Sequence, residues 1–361
     1  MSEVVSYELK GNIGVISVNN PPVNALAQVV REGILNSVQA AQEDGSKAIV
    51  LRCEGRTFIA GADITEFGKP PKDPGLPIVL DAIESSSKPV IAAIHGTALG
   101  GGFEVSLACH YRCAVASAKV GLPEVKLGLL PGAGGTQRVP RIAGVKAALD
   151  MITSGNPIAA GKAHTMGLVD EIIEADDLEA GAIQYAMGLV ESGAPLKRIR
   201  DITIDPATIE ADFFANARKR LARRARGQIA QDKIVSCIEA AVELPMDEGL
   251  LRERELFREL ITSPESAAMR HIFFAERQAA KIKDLPKDTP VRDIAKVAII
   301  GGGTMGGGIA MCFANVGIPV VMLEINDEAL QRGMDIIRKN YNITLQKGKM
   351  SEDQLEQRIG L

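Results

Sequence analysis

Two glutamates and three glycine-rich turns are the residues of this sequence best placed to do chemistry. Glu104 lies in HGTALGGGFE, where the apolar run VIAAI leads into Gly100-Gly101-Gly102 and a helix FEVSLACH follows. Glu124 lies in GLPEVKLG, after a short strand and a proline, and is oddly polar for a compact apolar segment. A glycine turn that opens a helix presents unpaired backbone N–H groups at the positive end of the helix dipole. In FIAGADI, Ala60, Gly61 and Ala62 are small enough to let the backbone approach a ligand closely. One N–H from each turn would hold a developing oxyanion on a carbonyl. Glu104, three positions after Gly101, is expected to lie near the same N-terminal amides. Two carboxylates in one partly dry pocket titrate as a coupled pair, one neutral and one charged, and can position a water between them. Such a pair suits proton transfer at a carbon next to a carbonyl. The third turn, LPGAGGTQR, is expected to shape the pocket wall. Singly, each feature has a plainer reading: tight packing for the glycines, a dipole-compensating charge for Glu104, an exposed strand-end acid for Glu124.

A second constellation stands near the other end. The strand KVAII runs into Gly301, Gly303 and Gly306 in the spacing G-x-G-x-x-G. A helix follows, and a second strand ends at Glu324, close to the ~20 residues at which this fingerprint places its acid. The glycines make the tight turn, the helix N-terminus receives a pyrophosphate, and Glu324 would bond a ribose, which favours NAD over NADP.

The elements that must position these groups alternate in type. VVSYEL and IGVISV read as a hairpin around Lys10-Gly11-Asn12, Ala25–Gln42 as a helix, and AIVLRC, VIAAI and CAVA as strands. Lys69–Pro77 is a mobile loop by its prolines and glycine. Val145–Thr153 and Ala159–Met166 read as helices and Leu168–Ile173 as a strand. This alternation indicates an α/β protein. From Pro195 to Lys283 the pattern is almost wholly helical, and KDLPKDTP at Lys283–Pro290 has the composition of a linker.

Composition removes other classes. Lys and Arg total 41 against 45 Asp and Glu, a net charge of −4, which argues against coating nucleic acid or an anionic membrane. The basic run Arg218–Arg226 therefore reads first as a solvated helix face. No apolar run is long enough to cross a membrane, and the first residues lack the pattern of a secretory signal. Five cysteines without a CxxC pair point to a reducing compartment. Cys109 and Cys113 share a helical spacing, but no second pair completes a metal site, and none of the four histidines is spaced for zinc. His95 reads as a packed or pocket-lining residue rather than an acid/base group, and Asp63 as a helix-start cap. No GxSxG elbow occurs.

FIAGADI, HGTALGGGFE, GLPEVKLGLLPGAGGTQRVPR and SGNPIAAGKAHTMGLVDEII, in that order, resemble the crotonase (enoyl-CoA hydratase/isomerase) family over residues 1–195. With the NPPVNAL start and the helical continuation, they look most like the hydratase half of peroxisomal-type multifunctional β-oxidation enzymes. The resemblance implies a ββα spiral with a helical C-terminal region, followed by a partial Rossmann βαβ unit. It divides the chain into a crotonase core (1–195), a helical region with a linker helix packed back on that core (196–290), and a partial NAD-binding domain of 3-hydroxyacyl-CoA dehydrogenase type (291–361). It places the oxyanion hole at the N–H groups of Ala62 and Gly101. Glu104 would help activate the water that adds to C3, and Glu124 would protonate C2.

The implied activity is hydration of trans-2-enoyl-CoA to (S)-3-hydroxyacyl-CoA, without a cofactor. A Δ3,Δ2-enoyl-CoA isomerase at the same site is the alternative, and a non-catalytic CoA-, NAD- or RNA-binding piece the further one. NAD belongs to the dehydrogenase part alone. The dehydrogenase histidine and its glutamate partner have no positions here, so the chain as given is expected not to oxidise 3-hydroxyacyl-CoA. The expected partner is an acyl-CoA thioester, with no nucleic acid, membrane or metal. A crotonase-type trimer and a monomer both stay open, the monomer favoured. The expected compartment is the bacterial cytoplasm, or the peroxisome for a eukaryotic parent.

Overall fold

The computed structural model describes residues 4–67, 69–174, 177–225, 227–279, 281–286 and 288–361. They form two units, one ending at Lys281 and the other starting at Ile282.

In the first unit β1 (Val5–Lys10) and β2 (Ile13–Val18) make the expected antiparallel hairpin, with Lys10 opposite Ile13. β3 (Ala48–Cys53) and β4 (Val90–Ile94) extend the sheet in parallel, and their apolar runs are almost fully buried, as two-sided burial of a parallel strand requires. The chain then alternates between two sheets. β5 (Thr97–Leu99), β7 (Lys119–Gly121) and β8 (Ile158–Ala159) form the second, whereas β6 (Tyr111–Val115) and β9 (Glu171–Ile173) return to the first. The first sheet has the order β1-β2-β3-β4-β6-β9 and the second β5-β7-β8. β4 and β5 before α3, and β6 and β7 before the helical turn Glu124–Leu127, each send one strand to each sheet and then a helical element, the repeat of the ββα spiral.

The helices of this part are α1 (Gln28–Glu43), α2 (Leu76–Glu84), α3 (Gly101–Ala108), α4 (Gly135–Ala143), α5 (Val145–Ser154), α6 (Ala160–Thr165) and α7 (Leu178–Glu191). Several sequence expectations shift, among them the first helix, which begins at Gln28 rather than Ala25. The Lys69–Pro77 loop ends early because Pro77 sits in the first turn of α2, where its missing N–H costs nothing. The CAVA strand begins earlier, at Tyr111, and the Leu168–Ile173 strand is only β9, since Leu168 and Val169 are buried in the turn before it. Cys109 caps the end of α3 while Cys113 lies on β6, so the two do not share a helix face.

The helical region contributes α8 (Phe213–Ala225), α9 (Ala230–Glu243), α10 (Met246–Ile261) and α11 (Pro264–Ala279). Ile234, Ile238, Leu256 and Leu260 are buried in the same core as Phe103 and Val139, so these helices complete the α/β part. Each such buried side chain contributes about 1.5–3 kcal/mol. In the basic run, Arg218 bonds Asp232 at 3.2 Å and also meets Glu239, and Arg220 lies 3.7 Å from Asp150. Arg226 and the side chain of Arg224 lie outside the described residues.

The second unit holds β10 (Val297–Ile300), α12 (Thr304–Asn315) and β11 (Val320–Leu323), with the two strands parallel. α13 (Asp327–Gln346) and α14 (Glu352–Ile359) follow, and Ser351 and Gln354 form a capping box on α14. Ala310, Ile337, Tyr341, Met350 and Leu355 form its core.

Candidate active site

The pairing of β5 with β7 sets Leu99 beside Gly121, and the Gly100 amide donates to the Gly121 carbonyl at 2.9 Å. The start of α3 is thereby tied to the segment that carries Glu124. Gly100 has φ +53°, and a Cβ there would lie 2.7 Å from Glu124 Oε1, so only glycine meets both demands. The FIAGADI turn is fastened to the same place: Leu99 N–H donates to Ile59 O at 3.0 Å, and Leu26 N–H to Gly61 O at 2.9 Å. A Cβ on Gly101 would stand 3.6 Å from the Ala62 amide nitrogen. The Ala62 and Gly101 amides are therefore neighbours, and neither donates to a protein acceptor among the described residues.

Glu104 is 2% exposed. Its Oε1 does not turn back to its own helix, as the spacing leads one to expect. It accepts the N–H groups of Ala133 and Gly135, both at 2.8 Å, at the start of α4. The third glycine turn is thus more than a wall; it holds the carboxylate. Burial raises the Glu104 pKa, and the two amides and Arg138 oppose the rise. Glu124 opens the 3-10 turn Glu124–Leu127. It is no exposed strand-end acid: its Oε2 is buried and has no partner among the described residues. Burial first, and the charge of Glu104 second, raise its pKa well above the usual carboxylate range. Behind it, the buried Ser266 of α11 donates to Leu127 O at 2.9 Å, so the first turn of this helix packs against the turn that carries Glu124, whereas the apolar face expected to dock does not: Ile272 and Phe274 stay exposed.

Two more features went unpredicted. Glu253 of α10 is buried beside the Glu104 turn, and Arg138 of α4 forms a buried ion pair with Glu84 at the end of α2, 2.7 Å apart. Asp63 accepts from Thr65 N–H at 2.9 Å as a helix-start cap. His95 is half-buried, its Nε2 3.0 Å from Gly55 O, with a pKa lowered by burial. Among the described residues no three His, Cys, Asp or Glu side chains group as metal ligands.

In the second unit Gly301 has φ +90°, Gly303 precedes α12 without a side-chain cap, and a Cβ on Gly306 would fall 1.7 Å from Gly301 O. Glu324, just past β11, accepts the Gly302 N–H at 2.6 Å. The structure thus brings the three fingerprint glycines and Glu324 to one turn.

The enoyl-CoA hydratase/isomerase family profile matches residues 8–203. The chain belongs to this family. Its hydratase/isomerase segment is followed by a match of residues 296–361 to the 3-hydroxyacyl-CoA dehydrogenase NAD binding domain. Both matches also occur in the order expected from the motifs. The peroxisomal bifunctional enzyme of Danio rerio is 42% identical over 92% of this chain and 47% of its own length. The glyoxysomal fatty acid β-oxidation multifunctional protein MFP-a of Cucumis sativus is 38% identical over 97% of this chain and 50% of its own. The chain spans about half the length of the curated relatives it matches. The solved structure of EchA1_1 from Mycobacterium paratuberculosis has a TM-score of 0.54 at 29% identity, covering 74% of this chain and 94% of its own.

Proposed function

We propose that the chain adds water to trans-2-enoyl-CoA, with the (S)-3-hydroxyacyl-CoA product implied by the family. The observation that carries this is a pair of buried glutamates in unlike settings beside two free amides. Glu104, held by two N–H groups, is the member favoured as the anion. Glu124, with a buried unpartnered oxygen and Glu104 as a repelling neighbour, is the member favoured as the acid. A water oriented by Glu104 gives that carboxylate a proton as its oxygen adds to C3, the Ala62 and Gly101 amides hold the thioester enolate, Glu124 delivers its own proton to C2, and return of a proton from Glu104 to Glu124 resets the pair. No step in this sequence draws on a cofactor. The purified chain is expected to remove the conjugated-enoyl absorbance of crotonyl-CoA. A folded chain that leaves it unchanged but converts a 3-enoyl-CoA would establish the isomerase instead.

For the second unit we propose NAD binding through the turn at Gly301, Gly303 and Gly306, with Glu324 facing the ribose. The fit is the close approach at Gly306 and the uncapped start of α12, which leaves amides for a pyrophosphate. When bound, NAD supplies the hydride acceptor for dehydrogenation. Gly306→Ala forces the turn open and is expected to weaken NAD binding at least about tenfold in calorimetric titration; an unchanged affinity would remove the turn from the site.

We also retain the division into 1–195, 196–290 and 291–361, supported by the spans of the two family matches and by α8–α11 between them. A monomer is favoured because α10 and α11 of the same chain back both glutamates. The five free cysteines are in keeping with bacterial cytoplasm, or with a peroxisome for a eukaryotic parent.

A further inference from the structure

Glu253 is a carboxylate that this reaction does not use, yet it grips the same turn as Glu104. The amides of residues 133–136 are shared out alternately. Ala133 and Gly135 donate to Glu104 Oε1. Gly134 donates to Glu253 Oε1 at 2.6 Å and Thr136 to Glu253 Oε2 at 3.1 Å, and the Thr136 hydroxyl meets Oε2 as well. The two acids thus hold one turn, one from α3 and one from α10. There is little slack in this arrangement: a Cβ on Gly249, one helical turn before Glu253, would lie 2.2 Å from Gln137 Oε1 of α4. Arg138 does not free Glu253 from its task, because its guanidinium is engaged by Glu84 and by Ala133 O.

We propose that Glu253 is a positioning residue for hydration, holding from α10 the turn whose amides fix Oε1 of Glu104. The proposal rests on the hydratase reading above. By this arrangement Glu104 Oε2, which makes no bond among the described residues, is the oxygen left to orient water. It also gives the helical region a part in the reaction, since α10 delivers the clamp.

Glutamine at this position cannot reproduce the clamp. Its carbonyl accepts one N–H, while its amide NH2 sets a donor against the other. A displacement of ~1 Å in a positioned catalytic group costs up to about a hundredfold in rate. The electrostatic surroundings give a second readout. Glu253 faces Glu104 from α3, Arg138 from α4 and Cys237 from α9. The cavity of about 290 Å³ that Glu253 and Arg138 line also holds Asp81, Arg200, Asp247 and Arg254. Burial, then the charge of Glu104, raises the Glu253 pKa to about 8. Its ionisation in turn raises the pKa of Glu124. With glutamine at 253 that repulsion is gone, Glu124 loses its proton more readily, and the alkaline limb of the kcat profile moves to lower pH.

The experiment is hydration of crotonyl-CoA by the full chain and by Glu253→Gln across pH, with circular dichroism and thermal melting as the fold check. The expected result is a kcat lower by about ten- to a hundredfold, a KM close to wild type, and the alkaline limb displaced to lower pH. Thr136→Val, which removes only the hydroxyl contact, is expected to move kcat in the same direction by less, and it serves if Glu253→Gln does not fold. A folded variant with wild-type kcat overturns the proposal. So does a loss that vanishes after correction for folded fraction, with a superimposable pH profile. Absence of hydration in the wild type would instead overturn the reading on which it rests.

Discussion

Glu124→Gln is expected to lower kcat for crotonyl-CoA hydration by about 10²–10⁴-fold, the range a positioned general acid contributes. The substitution keeps shape and volume, and it replaces a carboxyl whose ionised form burial already disfavours. The melting midpoint should therefore hold while the proposed proton donor to C2 is lost. Glu104→Gln is an equally clean probe for a different reason. Both amide bonds fall on one oxygen, Oε1, which a glutamine carbonyl reproduces. The hold on the turn survives and the proposed base is removed. Hydration should collapse in this variant too, whereas shifting the double bond of a 3-enoyl-CoA, a proton shuttle that Glu124 can run alone, should partly survive. Activity of Glu124→Gln within tenfold of wild type would remove the assigned acid. Hydration by Glu104→Gln near the wild-type rate would remove the assigned base.

The parts of this site that could be read from the chain are those encoded locally. Glu104 and Glu124 announce themselves because each is an acid in an apolar segment beside a glycine turn. The strands β3 and β4 are legible as unbroken apolar runs bounded by turns. What stays hidden depends on docking across long separations. The spacing from Gly101 puts Glu104 near its own helix start, but the carboxylate finds its amides at Ala133 and Gly135, on the next turn of the spiral. Glu253 looks like one charge in the run RERE. The signal that would have found it is its register: it falls on the same face as the buried Gly249, Leu256 and Leu260, and an acid in an apolar stripe needs a partner. The pairing of the second sheet is hidden for another reason, although the short strand before Glu124 is legible. β5, β7 and β8 have two or three residues each, too few for any periodicity.

Arg138→Met is expected to destabilise the first unit by about 3–5 kcal/mol, the usual cost of removing one member of a buried pair. The side chains of Arg138 and Glu84 are 2% and 1% exposed. Glu84 ends α2, where the helix dipole disfavours an anion, and apart from Arg138 its nearest cation is Arg200, 4.0 Å away. Without Arg138 this carboxylate is left as a buried charge without a close partner. Adding Glu84→Leu removes the stranded charge, so the double variant should recover most of the lost stability in urea unfolding with an unchanged slope. Stability and activity should then separate. Arg138 also donates to Ala133 O at 3.1 Å, on the peptide just before the turn's Gly134, while the Ala133 N–H holds Glu104. A double variant that is stable but slow shows that the buried pair sets the geometry of the glycine turn; one that is stable and fully active confines the pair to the scaffold. A loss below about 1 kcal/mol in Arg138→Met, the size of an exposed pair, would mean that Arg200 closes the gap and carries the charge of Glu84.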